Sequence, residues 1–318
     1  MFVGVDHGTV GLRFAGIKDG KGEVTVFELS RKKAGEMDSD EILGEVEQGL
    51  KIEIGEIELL ALTYSMGDGF STIKDIKKVR NKGVRSDKAG SIVGGGTRVF
   101  DTIMNAGIPT IMIPGIHAGS EKIDRRIKFF SHCASPEKVG IAYHIYKKGF
   151  ENFVFADISS NTVTMSVAGG IIIGAIDACI FAPGLYQGPI DLQLLREIEE
   201  GEVSANDAFS NAGVLRKKWT TRVGDERLVM DTLSLFAAME ISAMHVLMKD
   251  YGVGTSDIKV ILTGSVGEKA EIKQRIDRLL DTETEAITKY SAAIGCAEIA
   301  NAVFYGEKDI LGIAVERN

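Results

Sequence analysis

Residues 2–5 form a short apolar run that Asp6, His7, Gly8 and Thr9 interrupt before Leu12, Phe14 and Ile17 resume it. Asp19, Gly20, Lys21 and Gly22 then turn the chain into a third run carrying Val24, Val26 and Leu29. Short apolar runs bounded by turn residues predict strands, here a hairpin with a polar, glycine-bearing tip and a third antiparallel strand. Ser39 is placed to cap a helix whose Ile42, Leu43, Val46 and Leu50 share one face. The same order returns midway along the chain. Phe153-Val154-Phe155-Ala156 is apolar, Asp157 ends it, Ser159-Ser160-Asn161 supplies a loop, residues 162–167 return, Gly169-Gly170 turns, and residues 171–176 go out again. This recurrence predicts an internal duplication of a strand, acidic loop, strand, turn, strand unit; the alternative is that two ordinary hairpins look alike.

Between the repeats, residues 59–65 and 110–113 predict buried strands, the second after the turn residues Ala106 to Pro109. A helix is expected from about Pro136 to Gly149, joining two domains. The second half predicts a long apolar helix over 225–251, a strand over 259–262, a loop over 263–267, an amphipathic helix over 268–280 and a last helix over 290–304. That last helix is rich in small residues (Ala292, Ala293, Gly295, Ala297, Ala300), which permits a close helix crossing, most usefully at a hinge. Asp101 is expected to cap a helix.

At 318 residues the chain is expected to form two domains, 1–150 and 151–318, at roughly 150 residues each. Apolar residues at 44% and charged residues at 26% suit a globular protein and exclude a disordered or fibrous one. A net charge of -8 disfavours nucleic acid as a partner. The start of the chain lacks a secretory pattern, and the apolar tract 163–184 is broken by Gly169, Gly170, Gly174, Asp177 and Pro183, so no membrane partner is expected. Cys133, Cys179 and Cys296 are few, odd in number and far apart; they are expected to be reduced, buried thiols in a cytoplasmic protein.

Candidate chemistry falls on the repeated tips. Carboxylates at the ends of two related strands, each followed by a small polar loop, suit a metal-bound phosphate chain between two lobes, because Mg2+ needs one or two carboxylates plus waters and phosphate oxygens. Asp6 and Asp157 are the expected metal-orienting and catalytic residues. Gly8, Thr9, Ser159, Ser160 and Asn161 are expected at the phosphates, where small residues let backbone amides approach. The junction Leu262-Thr263-Gly264-Ser265-Val266-Gly267-Glu268 offers a backbone of little bulk at a helix start, where Gly264, Ser265 and Gly267 would meet the adenosine end. Each segment is also an ordinary turn former. For a substrate end the candidates are Asp68, Arg80, Arg85, His117, Tyr186 and Gln187. Arg80 could clamp a carboxylate or phosphoryl group and His117 could donate to developing charge. The loop 182–189 could line a cleft or turn a corner.

Phe2-Val3-Gly4-Val5-Asp6-His7-Gly8-Thr9-Val10-Gly11-Leu12-Arg13 resembles the first phosphate motif of the acetate and sugar kinase, Hsp70 and actin superfamily. The Leu262 to Glu268 run resembles its adenosine motif in the form seen in acetate and butyrate kinases. Ile123-Asp124-Arg125-Arg126, His132 and the stretch from Glu137 are similar to the connecting segment of butyrate kinases, and residues 292–313 to the second connecting helix. The ordered series spans nearly the whole chain. More narrowly, the sequence resembles the archaeal family called methanogenesis marker protein 12, which implies occurrence in methanogens and no particular reaction.

The resemblance implies an α/β fold of two duplicated ribonuclease-H-like (actin-like ATPase) domains, mixed sheets with helices and a cleft between, binding ATP and Mg2+. It implies a phosphotransferase or ATPase of the acetate/butyrate-kinase-like type, with a small carboxylate as possible substrate and a homodimer. The departures are Ser159 and Ser160 where glycines are common, Val10 where a second threonine is frequent, and Pro114-Gly115-Ile116-His117 where acetate kinases place a catalytic aspartate. They keep open a non-catalytic nucleotide-binding or assembly factor. An iron–sulfur activating ATPase is disfavoured by the lack of a close cysteine pair.

Overall fold

The computed structural model describes residues 1–9, 11–18, 22–64, 67–79, 94–217 and 226–316, and these fall into two compact units. Met1–Gly149 with Tyr290–Asn318 makes unit 1, and Phe150–Lys289 makes unit 2. The expected division near 150 thus gains a correction: the C-terminal segment packs with the first half of the chain, not the second.

In unit 1 the first repeat gives β1 (Phe2–His7), β2 (Gly11–Ile17) and β3 (Val24–Ser30), joined to β4 (Leu59–Leu62), β5 (Lys74–Asp75) and β6 (Thr110–Met112) in the sheet order β3-β2-β1-β4-β6-β5. β1 is antiparallel to β2 and parallel to β4, which is parallel to β6. Helices α1 (Arg31–Glu36), α2 (Ser39–Leu50), α3 (Gly95–Asn105) and α4 (Glu137–Lys147) follow in chain order. The cap of α2 is Asp38, in a capping box with Glu41, rather than the expected Ser39. Asp38 and Ser39 are both good cap formers, and the reciprocal bond from Glu41 selects the earlier one. Asp101 lies inside α3 instead of capping it; that helix starts at Gly95 behind Gly94. Val3, Val5, Leu12, Phe14, Leu62 and Phe100 are among the residues that close the core.

Unit 2 repeats the plan. β9 (Phe153–Ile158), β10 (Thr162–Ala168) and β11 (Ile171–Ile176) form the antiparallel meander, and β12 (Lys259–Thr263) and β13 (Glu285–Ala286) add to it in the order β11-β10-β9-β12-β13. β12 runs parallel to β9, as β4 does to β1. The helices are α5 (Leu192–Glu199), α6 (Ala205–Ser210), α7 (Glu226–Asp250), α8 (Gly264–Gly267) and α9 (Ala270–Leu280). The expected loop over 263–267 is therefore one helical turn from Gly264 on. By length and composition α7 could cross a membrane. One of its faces, including Leu233, Ala237 and Ile241, instead packs into the unit 2 core with Val154, Leu262 and Ile276.

The last helix, α10 (Ser291–Phe304), belongs to unit 1 and packs on α4 and β1. Its small residues are needed there. A Cβ on Gly295 would strike the Gly140 carbonyl, one on Gly140 would strike the Ala292 carbonyl at 2.5 Å, and one on Gly4 would strike the Ala293 carbonyl. The chain leaves unit 1 after α4 and re-enters it at α10. Of the three thiols, Cys133 and Cys296 are buried as expected; Cys179 is exposed, a correction set by its place in the irregular segment after β11. All three are free.

Candidate functional site

In unit 1, Asp6 stands at the carboxyl end of β1, opposite Arg13 on β2, and is 2% exposed. Open α/β sheets bind ligands at that end of their parallel strands. The antiparallel register brings Arg13 Nη1 to 3.1 Å from Asp6 Oδ2, while Arg13 Nε reaches Glu28 at 3.7 Å. The tip that follows holds half-buried Gly8 and exposed Thr9.

A residue that sequence reasoning missed braces this tip. Arg31, first in α1, donates from Nε to the Gly8 carbonyl at 2.8 Å and from Nη2 to the His7 carbonyl at 3.2 Å. Burial pulls its guanidinium down from the ordinary value, against the opposing pull of Asp6, Tyr64 and Glu137. Those partners put Glu137, at the head of α4, in the same electrostatic neighbourhood as Asp6. His7 is also held: its amide donates to Thr63 Oγ1 at 3.1 Å and its Nε2 donates to the Gly96 carbonyl at 3.2 Å. Burial and then Arg31 push its pKa down to about 3, so the ring is neutral. Gly95 and Gly96 let α3 approach α1 here, since a Cβ on Gly96 would meet the Arg31 guanidinium at 3.2 Å. Arg31 sits in the run Arg31-Lys32-Lys33, which reads as a solvated charge cluster; the carbonyls it caps are visible only once the hairpin folds back.

In unit 2, Asp157 is the next-to-last residue of β9, 7% exposed and paired in register with Thr263 of β12. Gly264 follows with φ +89°, and a Cβ there would collide with Asp157 Oδ1 and come within 2.5 Å of the Ile158 carbonyl. Only glycine satisfies both the left-handed backbone and the close approach. Gly267 lies over Ile158 at ordinary contact distance, and Ser265 is exposed. Gly264 and Gly267 thus pack on the end of β9 at Asp157 and Ile158.

The half-buried loop Ser159-Ser160-Asn161 is clamped by the segment after β11. Leu185 donates its amide to the Ser159 carbonyl at 3.0 Å, and Tyr186 and Gln187 both donate to the Ser160 carbonyl, at 3.0 and 2.9 Å. Thr162 Oγ1 donates to the Pro183 carbonyl at 2.8 Å. The loop 182–189 thus turns over Ser159–Asn161, and Gly184 has no side chain because the Asn161 backbone fills that space. Behind the clamp, Glu240 on α7 is fully buried, accepting from Thr164 Oγ1 and the Ala182 amide. The sequence signal for it is a single acid inside an apolar run.

A cavity of about 620 Å³ opens in unit 2 between α7 and α9, lined by Arg227, Asp231, Ser234, Lys269, Ile272 and Arg275 among others. Arg275 Nε and Asp231 Oδ1 stand 3.4 Å apart across it.

The substrate-end candidates are not gathered at one point by these contacts. His117, on β7 (Ile116–His117), faces His132 of β8 (His132–Ala134). It is buried, its Nδ1 accepting from the Gly119 amide at 3.1 Å and its Nε2 donating to the Phe70 carbonyl at 3.1 Å. Both ring nitrogens are engaged within unit 1, which is the arrangement of a structural histidine. Asp68 bonds His132 Nδ1 at 2.8 Å. Arg80 and Arg85 lie outside the described residues. Among the described residues no group of three or more His, Cys, Asp or Glu side chains is gathered for a metal; a Mg2+ held mainly by waters and phosphate requires none.

No protein-family model matches the chain. Among solved structures it is similar to a propionate kinase from Francisella tularensis subsp. tularensis SCHU S4, with a TM-score of 0.57 and 12% identity over 92% of this chain and 98% of that one. It is also similar to the acetate kinase of Porphyromonas gingivalis, with a TM-score of 0.55 and 11% identity over 92% and 90%. A ROK family glucokinase from Streptomyces griseus, solved with glucose and AMPPNP, gives 0.51 and 14% over 94% and 99%. These likenesses establish the fold, the duplicated α/β architecture of the actin-like ATPases. Two relatives carry the name UPF0285 protein: one of Methanosarcina acetivorans, 52% identical over 328 residues, and one of Methanocaldococcus jannaschii, 42% identical over 335 residues. The first match covers 99% of each chain, the second 99% of this chain and 98% of the relative. The chain belongs to the UPF0285 family.

Proposed function

We propose that the protein binds ATP with Mg2+ and acts as a phosphotransferase or ATPase of the acetate/butyrate-kinase type, with a small carboxylate as acceptor. The observation that carries this reading is the contact of Gly264 with Asp157, which joins the carboxylate of the second hairpin tip to the glycine turn of β12. A glycine turn pressed on a buried carboxylate leaves bare backbone beside it, and it suits a phosphate chain lying along the backbone. The residues fit the group. Asp157 would orient the waters of a Mg2+ ion in unit 2; Asp6, engaged through Oδ2 with Arg13, is the corresponding candidate of unit 1. When bound, Mg2+ neutralises the phosphate oxygens and polarises the transferred group.

The chain's own residues supply position. Arg31 fixes the Gly8 and His7 carbonyls, so that the Gly8–Thr9 tip presents its amides and the Thr9 hydroxyl in one geometry. Ser160, anchored through its carbonyl, leaves its side chain to approach phosphate, while the Ser159 hydroxyl donates to the Asn161 carbonyl at 3.4 Å. The cavity beside α9 has the volume of a small-ligand site and is read as the nucleoside end, with Asp231 offered to ribose hydroxyls. Catalysis would then rest on positioning and charge neutralisation. Arg80 remains a candidate clamp for the acceptor. A cytoplasmic location accords with three thiols outside any disulfide, and the relatives in Methanosarcina and Methanocaldococcus accord with the occurrence in methanogens that the marker-protein resemblance implies.

A second reading, a nucleotide-binding assembly factor without transfer, is favoured by the Asp6–Arg13 pair, which holds one carboxylate oxygen that a metal's waters would otherwise use. One titration separates the two. Calorimetry with ATP and Mg2+ should show saturable binding, followed by ADP release that rises on adding short-chain carboxylates and is lost in Asp157→Asn. Binding without turnover selects the second reading; no binding at millimolar ATP removes both.

A further inference from the structure

Glu240 has no part in the nucleotide reading, yet it is the one acid between Thr232 and Met248 of α7 and is fully buried. A carboxyl in a helix core is costly unless its hydrogen bonds secure something. Its Oε2 accepts from the Thr164 hydroxyl of β10 at 2.8 Å, and its Oε1 from the Ala182 amide at 2.9 Å. Ala182 is itself buried and belongs to no helix or strand, so its amide needs an acceptor from a neighbouring element. One side chain thereby ties the segment after β11 to the sheet and to the long helix together.

Ala182 is the root of a strap, residues 182–187, that is bonded along both edges. On one edge the Leu185, Tyr186 and Gln187 amides hold Ser159 and Ser160 by their carbonyls. On the other, Gly213, Val214 and Leu215 donate their amides to the carbonyls of Tyr186, Gly184 and Leu185, at 2.8, 2.9 and 3.1 Å. A Cβ on Gly184 would strike the Asn161 backbone, and one on Gly213 the Tyr186 backbone, so the strap has no slack across its width. A displacement at the root is therefore carried to the loop. We propose that Glu240 is a positioning residue of the second phosphate loop, holding Ala182 so that the strap fixes where the Ser160 side chain meets a bound phosphate chain; this rests on the reading of that loop as a phosphate site. Glutamine at this position keeps an acceptor for Ala182 and a donor for Thr164, whose hydroxyl turns to accept. Leucine keeps neither.

Hydrogen exchange read by mass spectrometry, beside calorimetry with ATP and Mg2+, tests this on the full chain. Glu240→Leu should speed exchange of the Leu185, Tyr186 and Gln187 amides and weaken ATP binding, each by roughly 10-fold. Glu240→Gln should restore most of both. Met248→Ala opens a cavity farther along the same buried face and should lower the melting temperature without either change. Thr162→Val cuts the strap at the Pro183 carbonyl with α7 intact and should speed exchange of the same amides, so the tie is read even where leucine at 240 prevents folding. Unchanged strap exchange in Glu240→Leu or in Thr162→Val, equal acceleration in Met248→Ala, or a glutamine variant as loose as the leucine one would overturn the proposal. Parental ATP affinity in a Glu240→Leu protein whose strap has loosened would overturn it alone, whereas a parent that binds no ATP would remove the nucleotide reading and this proposal with it.

Discussion

Replacing Glu240 with glutamine should remove a large part of the pH dependence of the stability of unit 2. The carboxyl is fully buried, its oxygens accepting from Thr164 Oγ1 at 2.8 Å and the Ala182 amide at 2.9 Å. Burial, with Asp177 adding to it, pushes its pKa up to about 8 from 4.5, against the two hydrogen bonds. Between those values the folded protein keeps a proton that the unfolded chain has lost. The stabilisation is complete below about pH 4.5 and is lost as pH rises through about 8. One proton changes stability by about 1.4 kcal/mol per pH unit, which gives ~5 kcal/mol over the whole interval and roughly 3 kcal/mol between pH 5 and 7.5. Glutamine does not titrate. Its oxygen can accept from Ala182, and its amide can donate to the Thr164 hydroxyl, which turns to accept. Urea unfolding followed by circular dichroism, at both pH values and in both proteins, isolates the effect because other titrating groups cancel in the difference. Parallel pH dependence in parent and variant would refute the assignment of a protonated carboxyl at this position.

Gly264→Ala should lower the melting temperature and abolish any nucleotide-induced rise in it, since the new methyl meets Asp157 and the φ of +89° adds about 1–3 kcal/mol of strain; an unchanged thermal shift with ATP would contradict the placement. Gly295→Ala should destabilise unit 1 by about 1–3 kcal/mol or more through the Gly140 carbonyl, read as a fall in the urea midpoint. Arg31→Lys should weaken ATP binding in calorimetry by roughly 10-fold, because one ammonium cannot replace both bonds to His7 and Gly8, and near-parental affinity would remove Arg31 from the site. Raising the pH from 6 to 8 should leave the His7 contact to Gly96 unaltered, with its ring resonances constant in NMR, because its pKa of about 3 keeps it neutral throughout.

The strand order was readable because each hairpin writes its own boundaries. β11 begins and ends where the Gly169-Gly170 turn and the apolar run 171–176 put it, and the likeness of the two meanders follows from the repeated order of strand, acidic loop, strand, turn and strand. The places of Asp6, Asp157 and Gly264 near strand ends were legible for the same reason, these residues being punctuation marks at the ends of apolar runs. What escaped were features whose meaning depends on a distant partner. Gly94, Gly95 and Gly96 look like a loop, yet Gly95 opens a helix and Gly96 leaves room for Arg31. His117 looks like a catalytic donor until Phe70 and Gly119 take up its nitrogens. Ser159 and Ser160 read as losses of glycine, while their carbonyls serve the chain from 185 to 187. The membership of residues 290–318 in unit 1 could not be inferred from sequence distance, since it rests on backbone contacts of Gly4 and Gly140 with a helix some hundred and fifty residues or more away.

That membership fixes an order of events at the ribosome. Unit 2 is one continuous stretch and can close as soon as residue 289 has emerged, whereas unit 1 lacks the helix that seats on Gly4 until residue 304 has emerged as well. The portion made first is therefore completed last, and it waits with an uncovered apolar groove during translation. A nascent chain terminated early would carry a finished second half beside an unfinished first, a species suited to capture by chaperones or removal by proteases.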